Sequence, residues 1–203
     1  MKVALVGASG NVGSRVLAEL SLRGHAVTAV ARHPEKLPKL RGVTPVAQDI
    51  ADVKALTGIL KGHDAVISAV GFQVSDPDKL IAAVRLAGVR RYIVCGGAGS
   101  LYVSPGVRLI DTPDFPPAYY PETAAGCVFL DKLREVKDIE WTFLSPSYYF
   151  TPGERTGKFR LGKDDLLTDS NGESKVSMED FAIALADEIE TPKHVRARFT
   201  VGY

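Results

Sequence analysis

The chain is poor in cysteine: Cys95 and Cys127 are the only two among 203 residues. Two are too few for a disulfide framework. Both sit in apolar runs, Cys95 after Tyr92-Ile93-Val94 and Cys127 before Val128-Phe129-Leu130, where a free thiol serves as a small buried hydrophobe. Histidine is scarce as well. His25, His33, His63 and His194 are scattered without ligand spacing, so no metal site is expected. Net charge is almost absent, 25 Lys+Arg standing against 24 Asp+Glu for a formal charge of +1. That balance gives no electrostatic reason to expect nucleic acid or a membrane surface as partner. Long apolar runs are missing too. The first, at residues 3–6, is far shorter than the roughly 20 residues a spanning helix needs. Met1-Lys2 leads straight into it without a signal-peptide pattern, and a cytoplasmic protein is expected.

What is present reads as an ordinary globular chain, with 45% hydrophobic and 24% charged residues. At about 150 residues per domain, the length predicts one domain over residues 1–203. Short β-branched runs at 3–6, 26–31, 43–47, 65–70, 92–95 and 141–144 alternate with helical spacing of apolar residues. Val12, Val16, Leu17 and Leu20 mark the first helix, which Arg23-Gly24 closes. Asp52 caps a helix through Leu60; Leu80, Ile81, Val84 and Ala87 mark another; further helices are expected over 122–137 and around Phe181 to Ile189. Short strands are expected at 159–161 and 165–167, and a final one at 198–201. Continuous apolar strands between amphipathic helices predict an α/β fold, a doubly wound parallel sheet covered on both faces. The alternation breaks after Cys95. Residues 96–121 carry Pro105, Pro113, Pro116, Pro117 and Pro121 without periodicity, as a functional loop or lid would.

Gly7-Ala8-Ser9-Gly10-Asn11-Val12-Gly13 follows the first strand and opens the first helix. In that context Gly7 permits a sharp turn, Gly10 lets backbone approach a pyrophosphate, and Gly13 lets helix and strand pack closely. Amides at the helix N-terminus then meet phosphate charge. A dinucleotide site is therefore expected at Gly7, Ser9, Gly10, Asn11, Val12 and Gly13. At the end of the second strand the chain reads Val30-Ala31-Arg32-His33, with no acid to bond a ribose 2′-hydroxyl. Arg32 offers a guanidinium suited to a 2′-phosphate, which favours NADP(H) over NAD(H); a solvated arginine is the alternative.

The G-x-x-G-x-x-G spacing with its Asn11-Val12 interior resembles the short-chain dehydrogenase/reductase superfamily, in particular its atypical branch. The closer resemblance is to single-domain NAD(P)H-binding proteins of the NADH-flavin reductase type, related to biliverdin reductase B and the nitrogen-regulator-like proteins. His63-Asp64-Ala65-Val66-Ile67-Ser68-Ala69, Gly96-Gly97-Ala98-Gly99-Ser100-Leu101, Asp111-Thr112-Pro113-Asp114-Phe115-Pro116 and Arg198-Phe199-Thr200-Val201-Gly202-Tyr203 extend it over nearly the whole chain. The resemblance implies an NAD(P)-binding Rossmann fold with a small C-terminal substrate-side lobe. It also implies cofactor contacts at Asp49 and Ile50 on the adenine side, and at Ala69, Val70 and Gly71 beside the adenine ribose. Asp49 has an alternative use, shaping the N-terminal turn of the next helix.

The superfamily's Tyr-x-x-x-Lys pair is missing: Thr123 stands four after Tyr119, Ala124 four after Tyr120, and Val128 four before Lys132. Reactions that need a proton moved at a defined carbon or oxygen, sugar-nucleotide epimerisation and dehydration among them, are thereby disfavoured. Hydride transfer to a flavin or quinone asks mainly that two rings be held in register. The expected activity is NAD(P)H-dependent reduction of a small planar acceptor, with flavin as substrate rather than resident group. The rival is an NAD(P)-binding redox sensor without turnover. The substrate side is expected from residues 96–121 and 146–177. Ser100 and Tyr102 lie just past the fifth strand, near where nicotinamide would sit, and are the catalytic candidates. The resemblance implies a serine close behind that strand; Gly96-Gly97 hold the nearest positions here. Tyr148, Tyr149 and Phe150 are candidates to stack on a planar ring. Packing is the alternative use of these aromatics, and a turn the alternative for Ser100.

Overall fold

Alternate residues of the first strand face opposite sides of one sheet, and both sides are buried. The computed structural model describes residues 1–203. In β1 (Lys2–Val6), Val3 and Leu5 join one core cluster while Ala4 and Val6 join another. The first cluster lies under α1 (Asn11–Leu22) and a later helix; β2 (Ala26–Ala31) adds Val27 and Ala29 to it. Next come β3 (Val43–Ala47), α2 (Val53–Leu60), β4 (Ala65–Ser68), α3 (Pro77–Leu86) and β5 (Arg91–Cys95). Two short strands, β6 (Tyr102–Ser104) and β7 (Val107–Arg108), precede α4 (Tyr120–Glu135). The chain ends with β8 (Glu140–Ser145), β9 (Tyr149–Thr151), β10 (Arg160–Gly162), β11 (Lys175–Ser177), α5 (Met178–Glu190) and β12 (Ala197–Gly202).

The main sheet has eight strands in the order β10-β12-β8-β5-β4-β1-β2-β3. All neighbours are parallel except the β10–β12 pair at one edge. This is the doubly wound Rossmann-like α/β fold. α1 and α5 cover one face; α2, α3 and α4 cover the other. β3 takes the opposite edge, which is why a strand containing Pro45 is tolerated there. Strand order reverses between β1 and β4, so the crevice at their carboxyl ends is the switch point where ligands bind in such sheets. No helix is long and apolar enough to cross a membrane.

The structure alters several expected elements. The Pro-rich stretch after β5 is ordered by the antiparallel β6–β7 pair and by 3₁₀ turns at Leu109–Asp111 and Pro117–Tyr119, with Leu101, Leu109 and Ile110 buried beneath them. α4 starts two residues earlier than expected because Pro121 fits a first helical turn. No strand forms over 165–167; Asp165 makes a single bridge to Tyr102. A parallel β9–β11 ribbon appears instead, unannounced because each strand is only three residues long.

One seam between α1, α5 and the 153–157 loop is electrostatic. Glu19, buried on α1, accepts from Arg23 Nε at 2.7 Å and from Arg155 Nε at 2.8 Å. Burial pushes its carboxyl up, but the Arg155 and Arg23 bonds win and hold it below its ordinary value of 4.5. In Glu179 burial is likewise outweighed, there by the Gly153 amide and Arg15, and in Glu190 by Arg23 and His25. Carboxyls with lowered folded values stabilise the fold above the unfolded value, and that stability is lost as pH falls through the folded values. Thermal midpoints should therefore be flat from neutral pH down to about 5 and fall below about 4.5, with Glu19→Gln showing a shallower acid limb. An acid limb unchanged in the variant would remove Glu19 from this account.

Candidate functional site

The crevice at the carboxyl ends of β1 and β4 holds two adjoining cavities. The smaller, about 210 Å³, is lined by Gly7, Ser9, Gly10, Arg32, Asp49, Ile50, Ala69, Val70 and Gly71, together with Val30, Ala31, Gln48 and Val74. Nine of the expected cofactor contacts thus meet in one place, although they come from four separate segments. The other three, Asn11, Val12 and Gly13, do not line it; they form the first turn of α1 behind it.

The turn is built for close approach. Gly7 has φ +87°, and its N–H donates to Val30 O at 3.0 Å, tying the turn to β2. A Cβ on Gly7 would come within 2.5 Å of Ala69 O, and one on Gly13 within 2.1 Å of Gly7 O. Only glycine lets β1, α1 and the end of β4 converge so tightly. Gly10 is the N-cap of α1, where no side chain caps the helix and no acid occupies the first turn. Its orphan amides and the positive end of the helix are left to face an anion. The cradle fits the pyrophosphate of a dinucleotide.

Arg32 is exposed at the other end of this cavity and makes no hydrogen bond or ion pair within the protein. Its neighbour His33 is turned to Glu35, 3.3 Å away. Asp49 lines the cavity, and its Oδ1 accepts from the Ala51 amide at 2.9 Å, in the turn ahead of α2 rather than in the helix's first turn. The cap of α2 is Asp52, which accepts from Ala55 N at 2.9 Å.

The larger cavity, about 480 Å³, lies between the 96–100 loop, α4 and the segment entering β9. Phe72, Phe115, Tyr119, Tyr148, Tyr149 and Phe150 face it. Tyr148 and Tyr149 meet edge to face with centroids 4.8 Å apart, and Tyr149 is 59% exposed at the mouth. Phe150 divides its contacts, its ring 4.8 Å from that of core Phe181. The glycine-rich loop allows both α4 and β8 this close: a Cβ on Gly99 would lie 1.9 Å from Thr123 of α4, and one on Gly96 2.2 Å from the Phe143 ring of β8.

Of the two catalytic candidates, Ser100 lines the cavity, nearly buried, and its hydroxyl accepts from Arg198 Nη1 at 3.2 Å. Tyr102 does not. β6 carries it away from the cavity, where its backbone pairs with Asp164 and Leu166, so nearness in sequence to β5 misplaced it.

Sequence reasoning missed Glu122, in the first turn of α4. Its carboxylate accepts from the Phe72 amide at 2.6 Å and the Gln73 amide at 2.9 Å, and it lines the larger cavity. Gly71 lines the smaller cavity, Phe72 the larger, and Glu122 Oε1 lies 3.4 Å from where a Gly71 Cβ would sit. The segment after β4 is thus a wall shared by both cavities, pinned from α4. No local pattern signals it, since the partners are 50 residues apart. Cys127 also lines the cavity; burial pushes its thiol up, against the pull of Arg108 and Arg198, so it is not poised as a nucleophile.

A profile of NAD(P)H-binding proteins matches residues 7–192, nearly the whole chain. The chain belongs to the NAD(P)H-binding family. Among relatives of this family, an uncharacterized protein of Bacillus subtilis, YwnB, is 39% identical over 99% of this chain and 98% of its own. A solved structure of a candidate epimerase from Bacteroides thetaiotaomicron is 43% identical, with a TM-score of 0.95, covering 100% of this chain and 96% of its own. A candidate NADH-flavin reductase from Streptococcus pneumoniae is 36% identical, with a TM-score of 0.85, covering 100% and 99%. The atypical short-chain dehydrogenase/reductase resemblance fits this family, and the chain has its NAD(P)H-binding, oxidoreductase-like fold.

Proposed function

We propose that the protein is an NADPH-dependent reductase of small planar acceptors, free flavins or quinones, with the dinucleotide in the smaller cavity and the acceptor in the larger. One observation carries the reading: a cavity walled by six aromatic side chains shares its Gly71–Phe72 wall with the glycine cradle. A nicotinamide cofactor bound there would supply the hydride. The chain's own part is to hold the pyrophosphate at the amides of α1, hold the 2′-phosphate at Arg32, stack the acceptor among Tyr148, Tyr149 and Phe150, and keep water off the ring faces. The proton that completes acceptor reduction comes from solvent at the open mouth. The likeness to a candidate NADH-flavin reductase supports flavin as the acceptor.

Epimerisation is the poorer fit. No lysine lines the larger cavity, and Tyr120 is 51% exposed and packs edge to face on Phe115. The tyrosine–lysine pair that would move a proton at a sugar carbon is absent there, and the one carboxylate, Glu122, has both oxygens bonded to the Phe72 and Gln73 amides.

Arg32 tests the cofactor half. NADPH should bind at least ten-fold tighter than NADH, and Arg32→Ala should raise the NADPH dissociation constant about ten-fold while leaving NADH unchanged, as expected for one charge-assisted contact. Titration by nucleotide fluorescence reads both. Equal losses for the two nucleotides would remove Arg32 from 2′-phosphate recognition.

A further inference from the structure

We infer that the aromatic cavity selects acceptors carrying no anionic group, and that Glu122 sets this preference. The inference rests on the reductase reading and names its substrate class. Among the residues lining the larger cavity, Glu122 alone is charged; no Lys, Arg or His reaches it. The Glu122 carboxylate is bonded to two backbone amides and to no cation, so its negative charge is left uncancelled at the cavity wall.

The cations behind that wall are already committed. Arg198 is buried and its Nε donates to Asp164 at 2.8 Å, and Arg108 Nε donates to Asp111 at 2.7 Å. The adjoining cavity also has one carboxylate, Asp49, but sets a cation and helix amides beside it. Arg32 is without a carboxylate partner there, and the amides of α1 are uncapped. Anionic groups are therefore accommodated on the dinucleotide side only. On the acceptor side, a phosphate or sulfonate would give up water, gain no cation and lie near a like charge. What remains favourable is apolar and aromatic: an uncharged ring system of two or three fused rings.

Two matched pairs test this: riboflavin against its 5′-phosphate, and 1,4-naphthoquinone against its 2-sulfonate. Binding of the flavins to protein saturated with NADP⁺ is read by quenching of flavin fluorescence, and kcat/KM by NADPH consumption. The uncharged member of each pair should be preferred roughly ten-fold at low salt, the scale of a like-charge repulsion across a cavity of this size. The gap should narrow as salt is raised from about 20 mM to about 500 mM, because screening shortens its range. Glu122→Gln keeps a carbonyl for the Phe72 amide and removes the charge, and should bring each pair within about two-fold. Should that variant fail to fold, the salt series on the unaltered protein decides alone. Equal or tighter binding of the charged members at low salt overturns the selection and leaves the reductase reading standing. No binding and no turnover of any of the four overturns both.

Discussion

Gly13→Ala is expected to weaken NADPH binding at least a hundred-fold and to cost about 2–4 kcal/mol of stability, by overpacking against backbone that cannot yield. The added methyl would sit 2.1 Å from Gly7 O and 3.2 Å from Ala8 Cα. Neither atom belongs to a flexible side chain. Gly7 is itself held by Val30 O on one side and crowds Ala69 O on the other, so relief means lifting α1 off β1 and opening the anion cradle. Gly58→Ala is the contrast. It lies exposed within α2 with nothing near its missing Cβ, and alanine there should be neutral or stabilising by up to about 1 kcal/mol. Chemical denaturation of both variants, with NADPH titration alongside, checks the pair. A Gly13→Ala protein of ordinary stability and affinity would mean that the close approach is dispensable.

Asp180→Ala is expected to cost about 3–5 kcal/mol and to disorder one wall of the acceptor cavity. Asp180 has no exposed surface. Its Oδ1 accepts from the amides of Thr156 and Gly157, at 2.8 and 2.9 Å, and its Oδ2 from the hydroxyls of Thr156 and Tyr203. One carboxylate on α5 therefore fastens both the loop after β9 and the last residue of the chain. Deleting it removes the acceptor from four part-buried donors, each costing up to about 1–3 kcal/mol, less at Thr156 and Gly157, which are exposed and open to water. Asp180→Asn, which keeps acceptors but brings unwanted donors, should lose less. Because β9 carries Tyr149 and Phe150, the acceptor KM should rise several-fold more than the NADPH dissociation constant. Equal changes in the two would show that the loop does not shape the acceptor side.

The halves of the site differ in how far sequence alone could reach them. β1, the glycine turn and α1 were legible because the hydrophobic period changes from continuous to helical across three glycines, of which Gly10 and Gly13 face Gly7 O within the turn while Gly7 faces Ala69 O at the end of β4. Arg32 was legible by its place after β2. The acceptor cavity was readable only as a region. Tyr148, Tyr149 and Phe150 do face it, but Phe72, Phe115, Tyr119 and Glu122 arrive from segments with no shared pattern. Tyr102 shows the limit most plainly: two residues past Ser100, it is drawn into β6, where its backbone pairs with Asp164 and Leu166, and it does not line the cavity. Direction after a strand end is set by tertiary pairing, which adjacency does not encode. The β9–β11 ribbon was hidden for the same reason, since its register joins Tyr149 to Lys175 through backbone alone.

The proposed reductase brings NADPH and an uncharged planar acceptor together in one crevice for hydride transfer. Anaerobic mixing of the protein with NADPH and riboflavin, followed by loss of flavin absorbance, tests it most directly. Catalytic bleaching is expected, saturating in both partners and weakened by Arg32→Ala with NADPH but not with NADH. Saturable NADPH binding with no bleaching of riboflavin, and none of a small quinone in its place, would contradict it and leave a nucleotide-binding protein that reports redox state without turnover.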